Sequence, residues 1–165
     1  TVYNCIRMIV FVLDSDGLIK LTKASVIEEI VKYRKCVITQ EVFNEVVRKG
    51  KEGFHEDAYV VEDLINRKLL TIRKIKFTGL ADLGKGEASS LEICKKMKYS
   101  AVITDDREFL NVLEDQNMPF IMPSDAIVHL LKRRKITTEK ALEALEKIKP
   151  FIRKEVYEKA KGEVD

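Results

Sequence analysis

Residues 6–13, IRMIVFVL, are followed directly by Asp14-Ser15-Asp16-Gly17, and this stretch decides the fold class. The first eight residues are nearly all apolar and rich in branched side chains. Such a run is typical of a short strand buried on both faces of a parallel sheet. The polar residues after it are typical of a turn. The pattern predicts a buried strand that ends at an aspartate.

Outward from this strand, short apolar runs alternate with helical patterns. Further strands are predicted at 36–38, 69–75, 101–103 and 119–122. Helices are predicted at 18–34, 40–49, 54–67 and 87–98, after Asp106 to about 115, and in pieces over 124–161. Thr39 is expected to cap the 40–49 helix, and Gly50 and Gly53 to end it. The residues TGLADLGKG at 78–86 are predicted to form a loop.

This alternation predicts an α/β fold, with a parallel β-sheet flanked by helices on both faces. We expect a single domain over residues 1–165. Its core should span about 6–135, and a helical C-terminal tail should follow at about 136–162.

The composition suits one globular domain of 165 residues, 45% of them hydrophobic. Charged residues reach 35% while Gln and Asn are scarce, which favours a thermophilic source. A net charge of +3 and a pI of about 8.6 permit a nucleic-acid partner. No apolar run approaches the ~20 residues of a membrane span, and no signal peptide is visible. We therefore expect a cytoplasmic protein with no membrane partner.

The thiols and imidazoles do not form a metal motif. Cys5, Cys36 and Cys94 have no metal-like spacing and are expected to be small buried hydrophobes in a reducing compartment. His55 and His129 lie in separate helical stretches, where we expect structural or surface roles. A zinc site is therefore not predicted.

Acidic residues follow two of the predicted strands. Asp14 and Asp16 come after the first strand, and Asp105 and Asp106 come after the strand at 101–103. An acid after a single strand is commonly a turn former or helix cap. The carboxyl ends of parallel strands, however, meet at one edge of the sheet, where ligands bind. Two clusters at equivalent strand ends therefore predict a site.

Two glutamates join these acids by their helical positions. Glu87 lies on the apolar face of its helix, where a carboxylate is costly unless it is paired or bound to metal. It also suits a first-turn acid that complements the helix N-terminus. Glu45 borders the apolar stripe of its own helix, and alone it would be read as a boundary residue. We expect Asp14, Glu45, Glu87 and Asp106 to converge.

Carboxylates without a histidine or cysteine set predict Mg²⁺ or Mn²⁺ as the cofactor. Crowded carboxylates repel one another, and a divalent cation relieves that repulsion. Such a cation also activates a bound water and stabilises charge on a transferring phosphoryl group. The pattern therefore predicts hydrolysis of a phosphate ester.

Four segments, in order, resemble the motifs of the PIN-domain family. They are VLDSDGLIKLTKAS (12–25), VITQEVFNEVV (37–47), GKGEASSLEIC (84–94) and VITDDREFL (102–110). The resemblance implies that Asp14, Glu45, Glu87 and Asp106 are the metal-binding catalytic acids, with Asp105 the less favoured alternative to Asp106. Asp16 departs from the Ser, Thr or Asn more usual in the family, so it would add a ligand or alter metal preference.

The segment SDAIVHLLKRRKI (124–136) and the helices after it resemble a prokaryotic, VapC-like subgroup of these proteins. This resemblance implies a metal-dependent ribonuclease that usually forms a homodimer. It also implies a toxin of a toxin–antitoxin pair, held inactive by a small antitoxin protein.

An acidic site that cuts a polyanion needs cations around it. Arg107 follows Asp106 directly, and Lys85 precedes Glu87 by two residues, so both are predicted to bind RNA. A salt bridge is the alternative for Arg107, and a solvated loop position for Lys85. The run Lys132 to Lys135 is the other candidate; it also suits a solvated helix end.

Two other functions stay open. A strand followed by Asp-Ser-Asp-Gly resembles the nucleophile loop of haloacid-dehalogenase-like phosphatases, although Leu18 stands where that loop favours Thr or Val. That fold also needs a lysine and a late Gly-Asp pair, and neither is evident. The second alternative is a non-catalytic PIN domain that binds RNA or protein.

Overall fold

The computed structural model describes residues 9–79 and 82–165. Predictions that fall on residues 1–8, including Cys5 and the start of the first predicted strand, lie outside the described residues. So do residues 80–81 of the predicted loop.

A sheet of five short, parallel strands forms the centre of the described chain, in the order β3-β2-β1-β4-β5. The strands are β1 (Val10–Leu13), β2 (Cys36–Thr39), β3 (Leu70–Arg73), β4 (Ser100–Ile103) and β5 (Phe120–Ile121). Because β2 and β4 lie on opposite sides of β1, the strand order reverses at β1. Ligands of parallel α/β sheets bind at such a reversal, beyond the carboxyl ends of the strands.

Helices connect these strands and continue beyond them. They are α1 (Ser15–Lys23), α2 (Ile27–Tyr33), α3 (Gln40–Phe43), α4 (Lys49–Glu52), α5 (Glu56–Asn66), α6 (Lys85–Lys96), α7 (Arg107–Asp115), α8 (Pro123–Lys132), α9 (Thr138–Ile148) and α10 (Lys154–Val164). A π-helical turn (Asn44–Arg48) joins α3 to α4, and a 3-10 turn (Lys149–Phe151) follows α9. No helix in the described ranges is both long and apolar enough to cross a bilayer.

Alternate strand residues face two separate cores. Phe11, Leu13 and Ile38 belong to a larger core with α1, α2, α5 and α8–α10, while Val12 and Val37 face a smaller core with α6 and α7. The expected helices on both faces of a parallel sheet are therefore present. Cys36 and Cys94 are free and buried, as expected. Burial raises the pKa of both thiols, that of Cys94 to about 11.

Side-chain caps fix several helix starts. Asp14 caps α1, so this helix begins at Ser15 rather than at the predicted residue 18. Thr39 caps α3 as predicted, through a hydrogen bond from the Val42 N–H to its hydroxyl. The helix predicted at 40–49 continues to Glu52, however, and the π-helical turn within it was not predicted.

Of the two glycines predicted to end this helix, Gly53 is the C-cap residue of α4, as predicted, although its φ is negative. Gly50 lies inside α4 instead. The left-handed conformation falls instead on Phe54, with φ 57°. Five other non-glycine residues of the described chain have it too, namely Ser25, Lys68, Tyr99, Asn117 and Arg134.

Gly17 allows α1 to approach the neighbouring strand closely. A Cβ atom at this position would lie 2.0 Å from the Ile103 carbonyl oxygen, which no side chain can tolerate. The first turn of α1 therefore packs directly on the carboxyl end of β4. This contact brings the residues after β1 and β4 together.

Candidate active site

Asp14 lies at the centre of the carboxyl edge of the sheet. It directly follows β1, and only 1% of its surface is exposed. One carboxylate oxygen accepts a hydrogen bond from the Gly17 N–H at 2.7 Å, and the other accepts one from the Thr104 hydroxyl at 2.6 Å. Both oxygens are thus oriented by the chain itself.

Thr104 links Asp14 to the second acidic segment. Its hydroxyl donates to Asp14 and accepts a hydrogen bond from the Asp106 N–H at 3.2 Å. Asp106 in turn caps α7, accepting from the Phe109 N–H at 3.0 Å. Sequence reasoning gave Thr104 no role of its own. The signal was its position between a buried strand and two aspartates.

Glu45 lies in the π-helical turn, a distortion that is frequent at functional sites. Its carboxylate accepts hydrogen bonds from the Ser15 hydroxyl and, at 3.2 Å, from the Gly86 N–H. A Cβ atom at residue 86 would lie 2.9 Å from a Glu45 oxygen, so glycine is needed there. Ser15 and Gly86 therefore hold Glu45 against the segments that carry Asp14 and Glu87.

Glu87 occupies the first turn of α6. Its carboxylate accepts a hydrogen bond from the Gly84 N–H at 3.1 Å, which caps the helix. The capping role anticipated for this residue is therefore present. It leaves the second carboxylate oxygen without a protein donor among the described residues, and each oxygen has two acceptor positions.

Like-charge repulsion acts between these carboxylates. Partial burial raises the pKa of Glu87, and repulsion from Asp106, Glu45 and Glu108 raises it further. Burial raises the pKa of Asp14 well above its usual range, against the hydrogen bonds from Thr104 and Gly17. Asp16 and Glu87 add repulsion at Asp14. Like-charge repulsion therefore acts between Glu87 and each of the three acids predicted to join it, Asp14, Glu45 and Asp106.

Asp105 and Asp16 have different surroundings. Asp105 is buried and forms ion pairs with Arg153 at 3.1 Å and Lys20 at 3.7 Å. Lys20 also lies 2.8 Å from Asp16, which accepts a hydrogen bond from the Asp105 N–H at 2.8 Å. Cations therefore balance these two acids. Sequence reasoning missed both Lys20 and Arg153.

Arg107 and Lys85 stand at the first positions of α7 and α6, and both are exposed. Neither makes an ion pair with any described residue, so the salt-bridge alternative for Arg107 is not observed. The run Lys132 to Lys135 is elsewhere: Lys135 lies 5.5 Å from the ring of Tyr33, which precedes β2. That run is therefore at the amino end of the strands, opposite the carboxylates.

The two histidines lie on other helical segments than the four predicted acids. His129 Nε2 lies 3.4 Å from the Tyr33 hydroxyl, and His55 is exposed before α5. Within residues 9–79 and 82–165, no three histidine, cysteine or carboxylate side chains are arranged to hold one metal ion. The fit to a cation therefore rests on donor chemistry. Carboxylate oxygens that repel one another suit a hard divalent ion. Burial, and then this repulsion, raises the pKa of Glu87.

Fold and site together define a parallel α/β domain with a carboxylate cluster at the reversal of its strand order. A family model described as a PIN domain matches residues 10–165. The chain therefore belongs to the PIN-domain family, whose fold is generally that of a nuclease. This assignment leaves the haloacid-dehalogenase-like alternative without support.

Among solved structures, the chain is similar to a PilT N-terminus domain protein from the hyperthermophilic archaeon Sulfolobus solfataricus P2. The TM-score is 0.51 at 12% sequence identity, over 72% of this chain and 89% of that chain. At this identity the likeness shows the fold alone. No protein of curated function matches the chain.

Proposed function

We propose that the protein is a metal-dependent ribonuclease that hydrolyses phosphodiester bonds in RNA. One observation carries the proposal. Asp14, Glu45, Glu87 and Asp106 come from four separate segments, yet hydrogen bonds through Ser15, Gly86 and Thr104 link these segments to one another. Like-charge repulsion acts between Glu87 and the other three acids. A folded protein gains no stability from crowding like charges, and this supports a cation-binding role for the cluster.

Asp14, Glu45, Glu87 and Asp106 would hold Mg²⁺ or Mn²⁺. When bound, the ion lowers the pKa of a water molecule and offsets charge on the phosphoryl group. Thr104 orients Asp14, while Ser15 and Gly86 orient Glu45. Arg107 and Lys85 would bind the phosphates that flank the scissile bond, Arg107 with two parallel hydrogen bonds and Lys85 as a mobile charge.

The balanced pairs Asp105–Arg153 and Asp16–Lys20 favour Asp106 over Asp105 as the ligand. A carboxylate that already faces two cations gains less from a metal ion than one that faces like charges. Asp16 and Asp105 would therefore support the site from outside. The homodimer and the antitoxin partner stay predictions from the family resemblance.

The test is cleavage of a fluorogenic oligoribonucleotide in millimolar Mn²⁺ or Mg²⁺. We expect slow cleavage by the parent protein, none in excess EDTA, and none by Asp14→Asn, because that change removes a charge needed to bind the ion. Asp115→Asn, an exposed position at the end of α7, is the matched control and should cleave at the parent rate.

Two results would contradict the mechanism: an unchanged cleavage rate for Asp14→Asn, or full activity in excess EDTA. A parent protein that binds the RNA in Mn²⁺ without cutting it would support the non-catalytic alternative. A DNA oligonucleotide of the same sequence, cleaved equally well, would correct the substrate class.

A further inference from the structure

A cavity of about 390 Å³ lies between the chain that leaves β3 and the end of α6. This volume is within the range of ligand-binding clefts, about 300–1,000 Å³. Three apolar side chains line it, namely Ile75, Ile93 and Met97. Four cations line it as well, namely Arg73, Lys74, Lys76 and Lys96. Lys96 is about 14 Å along α6 from Glu87, so the cavity lies away from the helix turn that carries this acid.

The positive charge of this cavity is not balanced by the residues that line it. Arg73, Lys74 and Lys76 are exposed, and they form no ion pair with any residue of the described ranges. Lys96 pairs with Glu92 of its own helix at 3.7 Å, and its side chain is 60% exposed. None of the described residues that line the cavity is acidic. The cavity therefore suits a ligand that carries several negative charges.

The cavity adjoins an open edge of the sheet. β3 is an outer strand, and no other strand of the described chain pairs with its outer edge. Leu70 and Ile72 pack on the larger core, so Thr71 and Arg73 point to the opposite face, on the side of α6, and both are exposed. The unpaired N–H and C=O groups of an outer strand can pair with an extended peptide. A strand added here would run past the cavity.

Other occupants explain these features less well. Cations on an outer strand keep two copies of a protein from pairing through that edge, but they do not account for an apolar floor below them. Single-stranded nucleic acids are bound on aromatic rings, and no aromatic side chain of the described chain lines the cavity. Two isoleucines and an adaptable methionine suit an aliphatic side chain instead.

We propose that an acidic peptide segment of a partner protein binds here as an added strand. The binding surface, called the β3–α6 groove, consists of residues 70–76 and 93–97. The peptide backbone would pair with β3, one aliphatic side chain would contact the apolar floor, and carboxylates would face Arg73, Lys74 and Lys76. This inference does not depend on the proposed function, because the β3–α6 groove contains none of the four proposed metal-binding acids.

The test measures peptide binding in EDTA by fluorescence anisotropy. The probe is the fluorescein-labelled peptide Glu-Glu-Glu-Ile-Val-Glu-Glu-Glu, which has an apolar centre between acidic ends. We expect replacement of its Ile-Val pair by Ser-Ser to weaken binding by about 10-fold, because the aliphatic contact is lost. N-methylation of the two central amides should weaken binding by about 3-fold or more, because the methyl groups replace N–H donors of the added strand.

Variants of the protein locate the peptide. Lys74→Glu combined with Lys76→Glu should weaken binding of the probe by about 5- to 30-fold, because two attractive charge pairs become repulsive. Lys159→Glu combined with Lys161→Glu is the matched control, with the same charge change and spacing on α10, where both lysines are exposed. The control should bind the probe as the parent does. Melting temperatures of both variants verify that they are folded.

A parent protein that does not bind the probe would overturn the proposal, as would unchanged affinity in the variant with Lys74→Glu and Lys76→Glu. Equal binding of the N-methylated peptide would rule out the added strand. A decauridylate that loses affinity in this variant, while the acidic peptide does not bind the parent, would assign the groove to RNA. Self-association of the parent that this variant abolishes would assign it to a second copy of the chain.

Discussion

Asp14 combines burial, hydrogen bonding and charge repulsion in one residue. The Thr104 hydroxyl and the Gly17 N–H both donate to its carboxylate, and both favour the charged form. Burial nevertheless dominates and raises its pKa well above the usual range. The charged form is therefore destabilising unless a cation is bound.

This balance predicts a pH dependence of stability. The pKa of Asp14 is higher in the folded state than in the unfolded state. The stability that Asp14 contributes is therefore fully present below the unfolded-state pKa, and it is lost as the pH rises through the folded-state pKa. In EDTA, the melting temperature of Asp14→Asn should therefore rise relative to the parent as pH increases from about 4 to about 9. The same pH dependence of the melting temperature in the parent and in Asp14→Asn would contradict a buried charge at Asp14. The control Asp115→Asn should show the pH dependence of the parent.

The same residue predicts a response to metal. Millimolar Mn²⁺ should raise the melting temperature of the parent protein at neutral pH, because binding to the folded state stabilises it by mass action. At a metal concentration about 100 times Kd the gain would be ~2.7 kcal/mol in the free energy of unfolding. Calorimetry should show a smaller rise for Asp14→Asn. An equal rise in both would place the metal elsewhere.

The side chain of Arg153 connects the start of α10 to the carboxyl end of the sheet. Arg153, the residue before α10, forms an ion pair with the buried Asp105 and lies 3.8 Å from the Met122 sulfur. This ion pair connects the C-terminal helices to the segment that carries Asp106. Asp105 would otherwise rely on Lys20 alone.

We expect Arg153→Leu to lower the free energy of unfolding by about 1–3 kcal/mol, because it removes one partner of a buried carboxylate. The estimate is kept low since Arg153 is partly exposed and Lys20 remains nearby. Urea titration measures the change, and Lys154→Leu is the exposed control. Combining Arg153→Leu with Asp105→Asn should destabilise less than the sum of the two. Strict additivity would show that the pair is not coupled.

The start of α3 was more predictable than the end of α4. Thr39 could be recognised as a cap because the residue type itself forms the hydrogen bond. The end of α4 differs because Phe54, after the C-cap Gly53, takes the left-handed position that glycine usually holds. Hydrogen bonds from the Phe54 N–H to the Lys51 carbonyl and from the His55 N–H to the Gly50 carbonyl close the helix there. These hydrogen bonds join backbone atoms, so the types of the residues do not predict them.

The surroundings of Glu45 show the same limit. A helical wheel of constant period placed it beside an apolar stripe, and the π-helical turn changes that period locally. The hydrogen bonds from Ser15 and Gly86 join segments 30 and 41 residues away. Only the folded chain reveals such contacts.

For the whole molecule, the parallel sheet with helices on both faces followed from the alternation of strands and helices. The strand order did not, because apolar runs carry no information on which strand pairs with which. The ion pair between Arg153 and Asp105, 48 residues apart, was hidden for the same reason. The acids at strand ends could be predicted to share a site because the carboxyl ends of all parallel strands lie at one edge of the sheet.

The placement of β1 between β2 and β4 has a consequence during translation. A chain emerging from the ribosome presents Asp14 and Glu45 well before Glu87 and Asp106, and β1 gains its second neighbour only when residues 100–103 are made. Under the proposed function, a nascent chain that lacks Glu87 and Asp106 would therefore not cleave the message that encodes it. Activity would arise only after the codons for β4 and Asp106 have been read.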